Sequence, residues 1–155
     1  MFDYYFVLGS KESNAQQLTS TLASIKKKLT VQQTSKLYIG PSETQCMHDQ
    51  FINVACNIQS NAKLSEIRKI LHAFEIYETR KKEKIIDIDL IIQSMENKAL
   101  YISNKLMRYC HCLVTLNDLC PNLIISKKSV CTVSTIYHQH EKFNVFSATD
   151  EACIT

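Results

Sequence analysis

The segment EKIIDIDLII, residues 83–92, places two aspartates within an apolar run. Its isoleucines favour a β-strand. Because side chains at positions i and i+2 point to the same face of a strand, we expect Asp87 and Asp89 to project side by side. Adjacent carboxylates repel each other unless a cation lies between them, and a hard ion such as Mg²⁺ prefers oxygen ligands. The pattern therefore indicates either a metal-binding strand or a solvent-facing strand edge whose charges oppose aggregation.

The composition is that of an ordinary globular protein. Of the 155 residues, 45% are hydrophobic and 21% are charged, and the formal net charge is +3. This length suffices for a single domain with its own core, which we expect to span residues 1–155. The mild positive charge suits an anionic ligand and does not indicate a dedicated nucleic-acid-binding protein. No signal peptide or membrane-spanning run is evident, so we expect a cytoplasmic protein.

The cysteines do not form a metal-binding or disulfide pattern. They are odd in number and include no CxxC pair, which indicates reduced thiols that mostly fill the core. CHC at residues 110–112 has poor spacing for one tetrahedral zinc site. HQH at residues 138–140 is predicted to be a polar surface strand, with metal binding as the alternative. The seven cysteines are Cys46, Cys56, Cys110, Cys112, Cys120, Cys131 and Cys153.

Hydrophobic periodicity predicts alternating strands and helices. The helices are amphipathic: Leu18, Leu22 and Ile25 share one face of the first, with spacings of four and three. The order is that of a ferredoxin-like βαββαβ core, an α+β fold with an antiparallel sheet and helices on one face, followed by a C-terminal helix and strand. The predicted strands are 2–8, 31–39, 51–58, 83–92, 100–103 and 130–140, and the predicted helices are 14–28, 63–78 and 105–119.

An ordered set of motifs resembles the 6-hydroxymethyl-7,8-dihydropterin pyrophosphokinase family. The resemblance covers residues 2–123 and lies in the order of the motifs rather than in any one of them. It implies that the protein moves the β,γ-pyrophosphoryl unit of ATP to a pterin hydroxymethyl oxygen and releases AMP. The motifs are FVLGSK at 6–11, FINVAC at 51–56, HAFE at 72–75, IDIDLII at 86–92 and TLNDLCPNL at 115–123.

The resemblance also assigns roles to individual residues. Asp87 and Asp89 would hold Mg²⁺ ions that bridge the ATP phosphates, and basic side chains would help to neutralise the phosphates. For several positions a second interpretation remains open: Glu75 as a solvent-facing helix residue, and the basic run TRKKEK at 79–84 as a solvated charge cluster. The implied catalytic residues are Asp87, Asp89, Arg80 and Lys84; the implied nucleotide residues are Glu75, His72, Leu90 and Arg108; the implied pterin residues are Asn53, Phe51 and His111.

Several positions depart from the family pattern. Phe51 stands where tyrosine is usual, and His111 where a larger aromatic stacks on the pterin, which buries less apolar area. The segment before the aspartates is shorter, and a lysine at Lys84 cannot make the bidentate phosphate contact of an arginine. Ser103-Asn104 replaces the family's Pro-His pair, so the nucleotide-contacting histidine is missing.

Three functions remain open at this point. The first is an active, Mg²⁺-dependent pyrophosphokinase of folate biosynthesis, with ATP as co-substrate and pterin as the other ligand. The second is a degenerate pseudoenzyme or a regulatory module that binds nucleotide or pterin, because the shorter loop would close less well over the nucleotide. The third is a ferredoxin-like interaction or RNA-binding domain, although no RNP signature is present. We expect a monomer, with a dimer left open.

Overall fold

The structure is a computed structural model that describes residues 1–41, 49–79, 83–125, 130–139 and 147–149. It contains eight strands and five α-helices within those residues. The strands are β1 (Phe2–Lys11), β2 (Val31–Thr34), β3 (Leu37–Pro41), β4 (Gln50–Ser60), β5 (Ile76–Tyr77), β6 (Lys84–Met95), β7 (Lys98–Ile102) and β8 (Ser147–Thr149). The helices are α1 (Ala15–Lys28), α2 (Leu64–His72), α3 (Lys105–Arg108), α4 (Cys110–Leu119) and α5 (Val133–Gln139).

The strands form one sheet with the order β5-β6-β1-β4-β3-β8, to which β2 adds on β4 and β7 adds on β6. Every pairing between these strands is antiparallel. The central order β6-β1-β4-β3 is that of a ferredoxin-like sheet, which confirms the predicted fold class. Strand β6 pairs with β1 along one side, but on its other side β5 pairs only at Lys84 and Ile86 and β7 only at Ile92–Met95, so the described residues place no strand beside Asp87 and Asp89 there. The strand-edge interpretation of the two aspartates therefore stays a prediction.

The two helices of the ferredoxin-like core, α1 and α2, lie on one face of the sheet as predicted, and the C-terminal α4 and α5 cover the other face. On one face, α1 packs through Leu18, Leu22 and Ile25 against the even-numbered side chains of β1, β4 and β6, together with α2. On the other face, α4 and α5 cover a second buried cluster that includes Val7 and Ala55. Because successive side chains of a strand alternate, Asp87 and Asp89 lie on this second face with Val7 and Ala55.

Several predicted elements differ from the structure, among them strand 31–39, which is two strands, β2 and β3. The predicted helix 63–78 ends at His72, because Ile76 and Tyr77 pair with β6 as β5 instead. The predicted final strand 130–140 is wrong, since Val133–Gln139 is helix α5. Val133 and Ile136 are three residues apart and both buried, and the Thr135 N–H donates to the Thr132 hydroxyl at 3.2 Å as an N-terminal cap. Packing and N-terminal capping thus stabilise a helix here, although the β-branched residues of this segment favour a strand.

The predicted helix 105–119 is two helices, α3 and α4. They are separated by Tyr109, which is extended at φ −119° and ψ 121°. His138 lies in α5 rather than on a strand face, and His140 lies outside the described residues. Cys56, Cys110, Cys112 and Cys120 are buried, and burial raises the pKa of Cys120 to about 12. Within the described residues, no helix is long and apolar enough to cross a membrane.

Candidate functional site

One cavity opens at the end of the three central strands, on the face that α4 covers. Its volume is about 370 Å³. Strand register places Asn53 of β4 opposite Gly9 of β1, and Gly9 opposite Asp87 of β6. The three residues therefore form one row across the cavity floor, with Asn53 and Asp87 two strand spacings, about 10 Å, apart. A Cβ atom at Gly9 would lie 2.8 Å from Asn53 Oδ1, so the missing side chain leaves room for the asparagine amide.

The carboxylate end of the cavity consists of Asp87, Asp89, Lys84 and Lys105. The side chains of Asp87 and Asp89 are 39% and 23% exposed, so both reach the cavity. Lys84 Nζ lies 2.6 Å from Asp87 Oδ1. Lys105 Nζ lies 2.5 Å from Asp89 Oδ1 and 3.9 Å from Asp87 Oδ2. Burial raises the pKa of Asp89, and the hydrogen bond from Lys105 opposes that effect without cancelling it.

Glu75 supports this end from a nearly buried position. Its side chain is only 3% exposed and follows the end of α2, so the interpretation as a solvent-facing helix residue is wrong. It accepts hydrogen bonds from Lys84 Nζ at 2.8 Å, the Tyr77 hydroxyl at 2.8 Å and the Ile88 N–H at 3.3 Å. Burial alone would raise the pKa of Glu75, but these donors outweigh it and hold the pKa at about 2. Glu75 is therefore a carboxylate that positions Lys84 beside Asp87.

A second cavity of about 310 Å³ shares Asp89 and Lys105 with the first. His72 and Leu90, which the resemblance assigned to the nucleotide, both line it. Its wall also contains Arg68, whose guanidinium lies 4.6 Å from the centre of the Tyr101 ring. The two cavities thus meet at the carboxylate end, where a ligand that spans both would pass the aspartates.

The aromatic end of the first cavity consists of Phe51, Tyr109 and His111. Tyr109 and His111 stack with ring centres 5.5 Å apart and planes 14° apart. Arg108 packs over the Tyr109 ring, with its Cζ 5.4 Å from the ring centre. Arg108 is thus in contact with the aromatic stack and does not line either cavity. Asn53 lies between this end and the aspartates and is 4% exposed.

The structure brings together most of the residues that the sequence singled out. Arg80 lies outside the described residues. Two lining residues, Lys105 and Tyr109, were missed as site residues, although Lys105 directly follows the Ser103-Asn104 pair already noted as a departure from the family. The place of Lys105 in a segment that departs from the family pattern was the available signal, although nothing local in the sequence shows that Lys105 reaches Asp89.

The two carboxylates fit a divalent ion that is shared with phosphates. Among the described residues, no group of three or more His, Cys, Asp or Glu side chains could hold a metal by itself. Mg²⁺ is commonly bound by only one or two carboxylates together with substrate phosphates and water. Asp87 and Asp89 offer side-by-side oxygens at a cavity, so they fit that arrangement, provided that Lys84 and Lys105 give way.

The fold and the site together define a ferredoxin-like α+β protein with a ligand pocket, lined by paired acidic and basic side chains, on one sheet face. The family model of 7,8-dihydro-6-hydroxymethylpterin-pyrophosphokinase (HPPK) matches residues 5–121. The chain therefore belongs to the HPPK family. Comparison with curated proteins gives no match.

Solved structures of HPPK-DHPS from Plasmodium falciparum share the fold. The wild-type structure with pterin and p-hydroxybenzoate has a TM-score of 0.66 at 13% identity and covers 95% of this chain and 46% of that one. The wild-type structure with SDX-DHP has a TM-score of 0.66 at 12% identity and covers 94% of this chain and 45% of that one. This chain thus spans about half the length of the structures that it matches.

Proposed function

We propose that the protein is an active 6-hydroxymethyl-7,8-dihydropterin pyrophosphokinase, which transfers a pyrophosphoryl group from ATP to the pterin and releases AMP. One observation carries the proposal: a paired carboxylate and a buried asparagine occupy opposite ends of one strand row, about 10 Å apart. That separation matches a site that holds phosphates at one end and a flat heterocycle at the other. Membership of the HPPK family supports the same assignment.

The pterin end would bind by hydrogen bonding and stacking. The Asn53 side chain offers both a donor and an acceptor to the edge of the ring, and its burial excludes competing water. Phe51 and His111 line the same cavity and can contact the ring faces. The hydroxymethyl oxygen would then point along the row towards the aspartates.

The phosphate end would act through charge and placement. Asp87 and Asp89 would hold Mg²⁺, which when bound neutralises phosphate charge and aligns the transferred group. Lys84 and Lys105 would offer their ammonium groups to the phosphate oxygens, and Glu75 would keep Lys84 in place. The second cavity, with His72 and Leu90 on its wall, would take the rest of the nucleotide. A bond forms from the hydroxymethyl oxygen to the β-phosphorus as the bond between that phosphorus and the AMP oxygen breaks, and the hydroxyl proton passes to water.

The test is AMP formation from ATP and Mg²⁺, with and without 6-hydroxymethyl-7,8-dihydropterin. We expect AMP that depends on the pterin in the wild type and is lost in Asp87→Ala/Asp89→Ala. Asp3→Ala serves as the control, because Asp3 lies at the opposite end of β1 from Gly9. Pterin binding without any pterin-dependent AMP would contradict the proposal and favour a binding module that has lost catalysis.

A further inference from the structure

Lys105 occupies the position between the two aspartates. It is the first residue of α3, so it reaches the carboxylates from outside the strand that carries them. Its Nζ is 2.5 Å from Asp89 Oδ1 and 3.9 Å from Asp87 Oδ2, and its side chain is 35% exposed. An ammonium group within this range of both carboxylates is a cation bound to the pair.

Each of the two aspartates already has an ammonium group beside it without a metal. Asp87 and Asp89 contribute two negative charges, while Lys84 and Lys105 each place an ammonium group on one of them. A divalent ion that bound Asp89 Oδ1 would occupy the same oxygen as Lys105 Nζ and would be repelled by that like charge. Metal binding therefore requires Lys105 to move.

We propose that Lys105 is a built-in counterion that competes with divalent metal for Asp87 and Asp89, and that it moves to the nucleotide phosphates when metal and nucleotide bind together. The nucleotide-free protein consequently binds divalent ions weakly, and the metal enters with the nucleotide. The second half of this proposal rests on the proposed function, whereas the competition in the free protein does not.

Lys84 is less suited to be the counterion that a metal displaces, because its ammonium group has a second carboxylate partner. Its Nζ is 2.8 Å from Glu75 Oε1, and Glu75 is nearly buried, so displacing Lys84 would leave that carboxylate with one donor fewer. Among the described residues, Lys105 forms ion pairs only with Asp87 and Asp89. Lys105 is therefore the cation that a metal replaces with less disruption.

The test measures Mn²⁺ binding to nucleotide-free protein by electron paramagnetic resonance. We expect Lys105→Met to bind Mn²⁺ at least about tenfold more tightly than the wild type, because a competing positive charge is removed. Lys98→Met is the matched control: Lys98 is exposed at the turn end of the β6–β7 hairpin, so its removal changes the net charge equally without altering the pair. The gain should vanish in Lys105→Met/Asp89→Asn.

The second half is tested with α,β-methylene-ATP and Mn²⁺, which does not require turnover. Here Lys105→Met should bind the analogue more weakly than the wild type, by about tenfold, since a phosphate contact is lost. Unchanged or weaker Mn²⁺ binding by Lys105→Met, or a gain equal to that of Lys98→Met, would overturn the competition. If the Met variant does not fold, Lys105→Gln provides the same comparison. Failure of AMP formation alone would leave the Mn²⁺ result intact and would count only against the proposed function.

Discussion

The carboxylate end and the aromatic end of the cavity differ in how narrowly their chemistry limits the residues that can occupy them. At the carboxylate end, Asp87 and Asp89 are fixed by the alternation of β6 and linked by lysines to Glu75. At the aromatic end, Phe51 and His111 depart from the family's residues but still line the cavity. Oxygen ligands for a phosphate-bound cation have few substitutes, whereas any flat ring can provide a stacking surface.

The largest expected effect is at the carboxylate end. Asp87→Asn and Asp89→Asn should each lower kcat for pterin-dependent AMP formation by about 10²-fold or more, because transition-state charge loses its support. Pterin binding, followed by fluorescence, should stay within a few-fold of wild type, since Asn53 is two strands away. Asp3→Asn is the control and should leave kcat unchanged. If pterin binding fell by as much as kcat, the carboxylate end and the aromatic end would not act independently.

The next effect belongs to the buried asparagine. Asn53→Ala should raise the KM for the pterin by about 10-fold to 100-fold, because hydrogen bonds to a buried ligand edge are lost. Mn²⁺ binding should not change. Asn57→Ala is the matched control: Asn57 lies on the same strand and face, and its buried Nδ2 has no hydrogen-bond partner among the described residues. A similar rise in KM in both variants would mean that Asn53 does not bind the pterin directly.

The sequence predicted the central sheet well because its signals are local and periodic. The alternation in residues 83–92 placed Asp87 and Asp89 on one face, as the structure has them, and the spacing of Leu18, Leu22 and Ile25 predicted α1. Strand β4 was likewise predicted within two residues of its bounds. These patterns predict strands and helices without any information about the elements that pack against them.

The features that the sequence did not predict depend on contacts between residues that are far apart in the sequence. Residues 133–139 are rich in β-branched side chains, yet they form α5 because Val133 and Ile136 pack on the second core beside α4. Similarly, nothing local shows that Lys105 meets Asp89, since the two residues belong to different elements. The lysine's role became visible only when β7 and α3 were placed beside β6.

The third prediction concerns the stability of the carboxylate end. The pKa of Glu75 is about 2 in the folded protein, below its ordinary value of 4.5. The unfolded chain therefore takes up the proton first as the pH falls, so this stabilisation is complete above pH 4.5 and is lost as the pH falls towards 2. Glu75→Gln should lower the free energy of unfolding by about 1 kcal/mol at pH 7, because charge-assisted hydrogen bonds are lost.

Urea unfolding under reducing conditions at several pH values measures this effect. The difference between wild type and Glu75→Gln should shrink as the pH falls from 4.5 to 2. Glu12→Gln, an exposed side chain in the turn after β1, should show no such change. A difference that stayed constant down to pH 2 would mean that the ionised Glu75 carboxylate does not contribute to stability.

The smallest effect is at the aromatic end. His111→Phe should lower the KM for the pterin by about threefold to tenfold, because a phenyl ring offers more apolar stacking area than an imidazole. Tyr109→Phe is the control, since it keeps the ring that stacks on residue 111 and should leave the KM unchanged. Steady-state AMP formation at varied pterin concentration measures both. If His111→Phe raised the KM instead, the imidazole would be contributing a polar contact to the pterin, and the aromatic end would be as strictly specified as the carboxylate end.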